Sequence, residues 1–272
     1  MNIGIIGNGF VGSAVGFGFS AQCGVSNSII RSYDKDKKKS THTLFDVLNN
    51  SDYVFISVPT PPAKSGGCDL SYVYDCFDEI SIALENTQKE PILILKSTVI
   101  PGTTEQLQDT FPDLKIVFNP EFLTERTAKQ DFISPSRIVL GGDSDNVSQV
   151  ASLFKWRFGN TMRIIETDTK TAEFIKYMSN GFFTTKISFL NDMYQIASST
   201  GIDWDTAIEG LASDGRAGSS HMQVPGPDGK LGFGGKCFPK DLDAIITYAL
   251  ENKLRPHTLI GALATNADVR ST

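Results

Sequence analysis

The chain has 272 residues, of which 40% are hydrophobic and 21% charged, an ordinary balance for a globular protein of one large or two modest domains. Its formal net charge of −6 at pH 7 argues against nucleic acid or an anionic membrane as a partner. No apolar run is long enough to span a bilayer, and the glycine-broken N-terminus lacks the basic start of a signal peptide.

Residues 1–167 alternate short apolar runs with amphipathic stretches. Strands are predicted over NIGIIG, SIIRSYD, DYVFISVP, PILILKSTV, KIVFNPEF, RIVLGG and MRIIET. Helices are predicted over VGSAVGFGFSAQ, TLFDVLNN, DLSYVYDCFDEISIALEN, GTTEQLQDTF and NVSQVASLFKWRF, the third with Asp69 or Ser71 as its N-cap. This succession predicts right-handed βαβ units and a parallel sheet covered on both faces, hence an α/β, Rossmann-type first domain.

Residues 168–272 have a different pattern, which predicts an all-helical second domain. One helix is predicted over 169–199, with Gly201 ending it. Apolar residues recur along it at helical spacing: Phe174, Ile175, Met178, Phe182 and Phe183. A shorter helix follows over WDTAIEGLA, then a glycine- and proline-rich loop over 213–235 and two further helical stretches.

The stretch GNGFVG after the first strand predicts a dinucleotide site. Gly7 allows a tight turn, Gly9 lets the backbone approach a pyrophosphate, and Gly12 allows close packing of helix and strand. Phe10 and Val11 are also predicted cofactor contacts, and the N-terminus of the following helix faces the phosphates with free N–H groups. A flavodoxin-like sheet, with glycines serving only the turn, is the alternative.

Asp34 follows Gly12 by 22 residues and ends the second strand. Its carboxylate would accept hydrogen bonds from a ribose and repel a 2′-phosphate, which favours NAD over NADP. The neighbouring lysines, Lys35 first among them, keep NADP as a minor alternative. After the third strand, Val58, Pro59 and Thr60 are expected at the carboxyl edge of the sheet, although a plain proline-stiffened turn would also explain them.

The stretch GFGGKCFPKD places Cys237 between three glycines and a Pro-Lys-Asp turn. The four cysteines, Cys23, Cys68, Cys76 and Cys237, have neither the spacing of a metal site nor the density of a disulfide scaffold. Reduced, cytoplasmic thiols are therefore expected, and no metal is predicted. Taken alone, Cys237 is a small residue on a tight loop.

Together these motifs resemble the UDP-glucose/GDP-mannose dehydrogenase family. The matching stretches are IGIIGNGFVG, SVPTP with Asp69, LKSTVIPGTT, NPEFLTERTA with PSRIVLGG, AEFIKYMSN and GFGGKCFPKD. The last is the most specific, because the related 6-phosphogluconate and 3-hydroxyisobutyrate dehydrogenases lack the cysteine. The resemblance covers nearly the whole chain.

The resemblance implies a cytoplasmic enzyme that oxidises the C6 alcohol of a nucleotide sugar, a UDP-hexose, to the uronic acid with two molecules of NAD. Cys237 would form a thiohemiacetal and then a thioester, with Lys236 or Lys240 favouring its thiolate. Lys176 and Asn180, four residues apart on one helix, would hold a water and stabilise an oxyanion; a surface lysine and a capping asparagine are the alternative.

The remaining roles are also implied by the resemblance. Glu125 would be the general base of thioester hydrolysis, Thr98 would contact the water or the nicotinamide, and Asp241 would orient the water or Lys176. The predicted cofactor contacts also include Lys35, Ser97, Thr98, Glu125 and Lys240. The predicted substrate contacts are Glu121, Phe122, Leu123, Lys176, Asn180, Arg216, Phe233, Gly234 and Cys237.

The chain departs from the family pattern in three respects. It ends where family members continue into a second Rossmann-like domain that grips the nucleotide. Ala217 stands where isoleucine is frequent, and Asp192 where glutamate is common. A fragment, a short enzyme for a smaller hydroxy substrate, and a non-catalytic NAD-binding or dimer-partner protein are therefore alternatives. A homodimer through the helical domain is expected if Phe174, Phe182, Phe183 and Phe189 lie at a two-fold interface rather than in the domain's own core.

Overall fold

The computed structural model describes residues 1–64, 66–124 and 126–270. The chain forms two compact units. Unit 1 comprises Met1–Pro61 and Asp69–Lys176, and unit 2 comprises Pro62–Cys68 and Tyr177–Thr272. The structural boundary lies inside a long helix, whereas the boundary predicted between residues 167 and 168 lies just before that helix.

Unit 1 contains a twisted sheet whose strand order is β2-β1-β3-β4-β5-β6-β7. The strands are β1 (Asn2–Ile6), β2 (Ile29–Tyr33), β3 (Tyr53–Ile56), β4 (Ile92–Leu95), β5 (Ile116–Phe118), β6 (Ile138–Gly142) and β7 (Ile164–Thr167). The strands from β1 to β5 pair in parallel. Chain order reverses between β1 and β3, and ligands of doubly wound sheets bind at the carboxyl ends of the strands at such a point.

Helices cover both faces of this sheet, as predicted. They are α1 (Phe10–Gly18), α2 (Leu44–Asn49), α3 (Ser71–Leu84), α4 (Thr103–Thr110), α5 (Ala128–Ile133) and α6 (Ser144–Phe158). One apolar cluster joins the sheet to α3 and α4 through Phe77 and Leu107, and a second joins it to α1 and α6 through Val15 and Phe154. The Rossmann-type fold class is thereby confirmed.

Two details of the prediction are wrong. Strand β6 runs antiparallel to β5, so the sheet is only mostly parallel. Parallel pairing requires a crossover connection, which is usually a helix that crosses the sheet. In the described part of the 119–137 connection, the helix present is the six-residue α5, about 9 Å long. Helix α3 has Leu70 rather than Asp69 or Ser71 at its N-cap, because Asp69 forms a local turn in which its Oδ1 accepts the Ser71 N–H at 2.9 Å.

Unit 2 is built on the second part of α7 (Thr169–Thr200), followed by α8 (Trp204–Ala212), α9 (Phe238–Glu251) and α10 (His257–Val269). Gly201 has a φ of +72°, a left-handed conformation that ends α7 as predicted. Leu190, Met222 and Val224 form a small apolar cluster that packs the 213–237 loop against α7. In the described part of the chain, no helix is long and apolar enough to cross a membrane.

Helix α7 presents an apolar face that the chain itself does not cover. Phe174, Phe182 and Phe189 are 47, 62 and 55% exposed, so they are not core residues of this chain. Phe183 differs, since its ring stacks on His221 with centroids 4.1 Å apart. The predicted stripe therefore consists of one packed phenylalanine and three that face outward.

Candidate active site

The glycine-rich loop after β1 lies at the point where strand order reverses. A Cβ at Gly7, whose φ is +83°, would stand 2.5 Å from the Ser57 carbonyl oxygen at the end of β3. A Cβ at Gly12 would overlap the Gly7 carbonyl oxygen. A Cβ at Gly9 would meet no atom within 4 Å. Two of these glycines are therefore required by close contacts within unit 1, and the third borders open space.

The start of α1 suits an anion. Its N-cap is Gly9, and no side chain caps the helix, so its first N–H groups are available to a ligand. Ser57 Oγ is buried without a hydrogen-bond partner in the described part of the chain. A helix N-terminus, an open glycine and an unsatisfied hydroxyl in the same loop region fit a dinucleotide pyrophosphate.

Asp34 is fixed beside this loop. Its Oδ2 accepts the Asn8 N–H and its Oδ1 accepts the Asp36 N–H, both at 2.8 Å. Lys35 is directed to α3, where its Nζ lies 3.1 Å from Glu79 Oε1, and this hydrogen bond holds the pKa of Lys35 above its ordinary value. The acidic residue thus faces the glycine loop, whereas the nearest lysine is paired elsewhere, which favours NAD over a 2′-phosphorylated cofactor.

The segments after β3 and β4 are tied together. Ser97 Oγ donates to the Val58 carbonyl at 2.8 Å. Thr60 is buried, Pro59 is exposed and Thr98 is partly buried. The predicted cofactor residues of these two segments therefore share one edge of the sheet.

A buried ion pair lies at the end of β5. Lys176 Nζ donates to the Glu121 carbonyl at 2.7 Å and to Glu121 Oε1 at 2.8 Å, and both side chains are almost fully buried. Glu121 Oε2 also accepts the Leu123 N–H at 2.7 Å. Burial acts to raise the pKa of Glu121, but Lys176, the Leu123 N–H and Lys96 outweigh it and hold the pKa below its ordinary value. The Phe122 ring lies 5.7 Å from Lys176 Nζ.

Lys96 belongs to this buried group and was not predicted as a site residue. Its Nζ donates to Asn119 Oδ1 at 2.8 Å and to the Asn119 carbonyl at 3.2 Å. Burial lowers the pKa of Lys96 to about 8, opposed by Glu121. Lys96 and Glu121 also line a cavity of about 270 Å³. The sequence feature that could have identified Lys96 is its position directly after the apolar run ILIL, where burial is expected.

Glu173 is a second residue that the sequence reasoning missed. Its carboxylate accepts the N–H groups of Gly102 at 2.5 Å and Thr104 at 2.8 Å, and the Thr104 hydroxyl at 2.6 Å. Burial raises the pKa of Glu173 to about 7, against these three donors. The contact ties the N-terminal part of α7 to the start of α4. The sequence feature that could have identified Glu173 is its position three residues before Lys176, which places both on the same helix face.

In unit 2, Cys237 occupies the N-cap position of α9 and Pro239 lies in the first turn. Asp241, also in that turn, is buried and accepts the Asn180 side-chain N–H at 2.6 Å. Lys240 Nζ lies 2.5 Å from the other carboxylate oxygen of Asp241. Asn180 is thus held by an acid that lies one turn after Cys237.

The predicted substrate residues of the 213–237 loop differ in exposure. Phe233 is buried, whereas the Arg216 side chain is 92% exposed and pairs with Asp214 at 2.6 Å. A Cβ at Gly232 would overlap the Asn266 amide, and one at Gly234 would overlap the Arg270 guanidinium. The side chains that approach these two glycines come from Asn266 on α10 and from Arg270, the C-cap residue of that helix.

The structure brings the predicted residues together in three groups. Unit 1 holds the loop at Gly7–Gly12 with Asp34, and the segments at Val58–Thr60 and Ser97–Thr98; it also holds Glu121 with Lys176. Unit 2 holds Asn180, Lys240 and Asp241 beside Cys237. Helix α7 carries both Lys176 and Asn180, one turn apart. The predicted general base, Glu125, lies outside the described residues.

Comparisons with known proteins agree with these observations. Residues 22–156 match the model of the UDP-glucose/GDP-mannose dehydrogenase family NAD binding domain, and residues 170–268 match that of its central domain. The UDP-glucose 6-dehydrogenase of Rickettsia bellii is 34% identical over 254 residues, which cover 86% of this chain and 57% of the relative. That of Rickettsia typhi is 31% identical over 313 residues, covering 98% of this chain and 70% of the relative.

The fold is also similar to a solved structure. A UDP-glucose dehydrogenase from Pyrobaculum islandicum superimposes with a TM-score of 0.86 at 27% identity, covering 98% of this chain and 68% of that one. The chain thus spans 57% of the length of the Rickettsia bellii relative and 70% of that of the Rickettsia typhi relative. Because the two family models match most of the chain and a relative that is 31% identical is covered to 70%, the protein belongs to the UDP-glucose/GDP-mannose dehydrogenase family, with an NAD-binding first domain.

Proposed function

We propose that this chain carries the catalytic residues of a nucleotide-sugar 6-dehydrogenase, which oxidises the C6 alcohol of a UDP-hexose to the uronic acid. The observation that carries the proposal is the position of Cys237 at the start of α9, one turn before a buried Asp241 that holds Asn180. A buried acid and an oriented amide beside a thiol suit chemistry at a carbonyl carbon. The names of the relatives support the substrate class.

The proposed reaction removes four electrons in two oxidations. In each oxidation one hydride would pass from C6 to bound NAD⁺, and the hydroxyl group on C6 would release its proton. After the first, the Cys237 thiolate adds to the aldehyde carbon and the carbonyl oxygen takes a proton, which gives a thiohemiacetal. The second leaves a thioester on Cys237, and water cleaves its C–S bond to release the acid and the thiol.

The unit 2 residues have matching roles in this proposal. Asp241 accepts one N–H of the Asn180 amide, which leaves the second N–H to donate to an oxygen that becomes negative. Lys240 pairs with the Asp241 carboxylate, so this buried acid adds no net negative charge to the first turn of α9. Both features favour an anionic sulfur or oxygen near Cys237.

The unit 1 residues supply the cofactor site and a buried cation. The loop at Gly7–Gly12 would hold the pyrophosphate, and Asp34 the adenosine ribose. Lys176, held by Glu121, would stabilise the oxyanion or orient the attacking water. Thr98 would contact the same water or the nicotinamide, and Glu125 would be the base that activates it.

The test is a stoichiometry assay with UDP-glucose and NAD⁺. The unaltered chain should form two NADH for each uronic acid, and Cys237→Ala should form none of the acid. Cys23→Ala, which alters a partly buried cysteine in unit 1, is the matched control and should retain the activity. Full acid formation by Cys237→Ala would overturn the mechanism. Absence of NADH from the unaltered chain with every nucleotide sugar tested would favour the non-catalytic alternative.

We propose in addition that two copies associate through the exposed face of α7. Phe174, Met178, Phe182 and Phe189 lie on this face, and an uncovered apolar stripe of this kind is typical of a two-fold interface. Light scattering should give about twice the chain mass of 29.6 kDa. Phe182→Lys should give the single-chain mass, whereas Ile82→Lys, an equally exposed change on α3, should not. A monomer before substitution would refute the proposal.

A further inference from the structure

We propose that Asn266, in the last turn of α10, and Arg270, the C-cap residue of this helix, are positioning residues that hold the glycine-rich loop preceding Cys237. The proposal rests on the proposed function in one respect, namely that the thiol positioned by the loop is a nucleophile. The contacts that define it lie within unit 2 and involve no ligand.

Both side chains bind backbone groups of the loop. Asn266 Oδ1 accepts the Phe233 N–H at 2.6 Å. Arg270 Nη1 donates to the carbonyls of Leu231 at 3.1 Å and Gly232 at 3.3 Å. The other end of the guanidinium forms an ion pair with Asp228, so one arginine binds two parts of the loop. Because these are backbone contacts, they fix the path of the chain rather than a single side chain.

The loop sequence matches these two side chains. A Cβ at Gly232 would overlap the Asn266 amide, and its φ of +70° also favours glycine. A Cβ at Gly234 would overlap the Arg270 guanidinium, although the φ of Gly234 is not positive. Glycine is therefore required at position 234 because Arg270 occupies the space that a side chain would need.

The loop is held from the opposite side as well. Asn191 Oδ1, on α7, accepts the Gly232 N–H at 2.9 Å. Phe233 is buried, and only Gly234, Gly235 and Lys236 separate it from Cys237. Since α9 begins directly after Cys237, this short segment is fixed at both ends. A shift of Phe233 must therefore be taken up within three residues of the thiol.

The requirement is for a guanidinium rather than for a positive charge. Lysine could retain the ion pair with Asp228, but its single ammonium group lacks the planar fork that also reaches two carbonyls. Arg270→Lys is therefore the informative variant. Arg255→Lys, at an exposed position between α9 and α10, is the matched control.

The experiment measures the full chain without any substrate. Hydrogen exchange of the 231–237 segment and the rate of Cys237 alkylation by iodoacetamide should both rise about tenfold in Arg270→Lys, because loss of charge-assisted hydrogen bonds allows the loop to open more often. Arg255→Lys should leave both rates unchanged. Added guanidinium ion should slow both rates in Arg270→Ala, a rescue that general destabilisation would not show.

A second pair of variants keeps the test decisive if Arg270→Lys folds poorly. Gly234→Ala, made as a single substitution, should accelerate Cys237 alkylation. In an Arg270→Ala background it should have no further effect, because the side chain that the new methyl group would overlap is absent. Additive effects would overturn the proposal, as would unchanged rates in Arg270→Lys. Where turnover is measurable, kcat should fall in Arg270→Lys with the KM for NAD unchanged. If the alkylation rates change as expected but Cys237→Ala still forms the acid, the proposed function fails and the positioning role stands.

Discussion

The chain contains two glycine-rich loops, and the absence of a side chain has a different consequence in each of them. In unit 1, a Cβ at Gly9 would meet nothing within 4 Å, so the missing side chain leaves space at a helix N-terminus. In unit 2, the spaces beside Gly232 and Gly234 are filled by Asn266 and Arg270. One loop borders open space, and the other packs against Asn266 and Arg270 at the end of α10.

The two units also hold their polar groups differently. The carboxyl edge of unit 1 carries buried charges, with Lys176 paired to Glu121 and Lys96 nearby. In unit 2, the loop before Cys237 is held mainly through backbone N–H and carbonyl groups. We therefore expect unit 1 to be sensitive to lost charges and to pH, and the unit 2 loop to be sensitive to shape.

The largest expected effect is the loss of one partner of the buried pair in unit 1. Glu121→Gln should lower the free energy of unfolding by about 3–5 kcal/mol, because it removes the carboxylate that pairs with the buried Lys176 ammonium. Glu90→Gln is the matched control, since its pair with Lys115 is exposed and worth no more than about 1 kcal/mol. Urea unfolding measures both variants. Equal losses would remove the proposed distinction between the units.

The next effect is a dependence of stability on pH that originates in Lys96. Its pKa of about 8 lies below the ordinary lysine value, so the unfolded chain binds more protons above pH 8. The free energy of unfolding should therefore gain up to about 1.4 kcal/mol per pH unit between about pH 8 and 10.4 from this group. Lys96→Met should remove that gain, whereas Lys35→Met, at an exposed lysine, should not. Parallel curves for Lys96→Met and the unaltered chain would contradict the assignment.

The smallest expected change in stability comes from alanine substitutions that compare the two glycine-rich loops directly. Gly234→Ala should cost about 1–3 kcal/mol of stability through its overlap with Arg270, with NAD affinity unchanged. Gly9→Ala should change stability by less than about 0.5 kcal/mol, yet weaken NAD binding, because the added methyl occupies the space for the pyrophosphate. Calorimetric titration with NAD⁺ and thermal unfolding separate the two outcomes. The comparison fails if both substitutions alter the same quantity.

Local patterns were sufficient for much of this protein. Each of the seven sheet strands and the long helix α7 could be predicted, because periodicity and length report burial along a single element. The spacing of Gly7, Gly9 and Gly12 before a helix, with Asp34 after the next strand, indicated the dinucleotide site for the same local reason. The cysteine motif identified the family, since its residues are contiguous.

The remaining features depend on contacts between residues distant in sequence. The direction of β6, the buried cluster of Lys96 and Glu121, and the contact of Glu173 with Gly102 all join segments that no local pattern relates. The steric constraint at Gly234 also depends on distant residues, since the sequence does not show which atoms lie beside a glycine. The amino-acid order specified where glycines occur, whereas folding decided that Gly9 would border open space and Gly234 would border Arg270. Close packing is a property of the assembled chain, and so it could be read only from the tertiary structure.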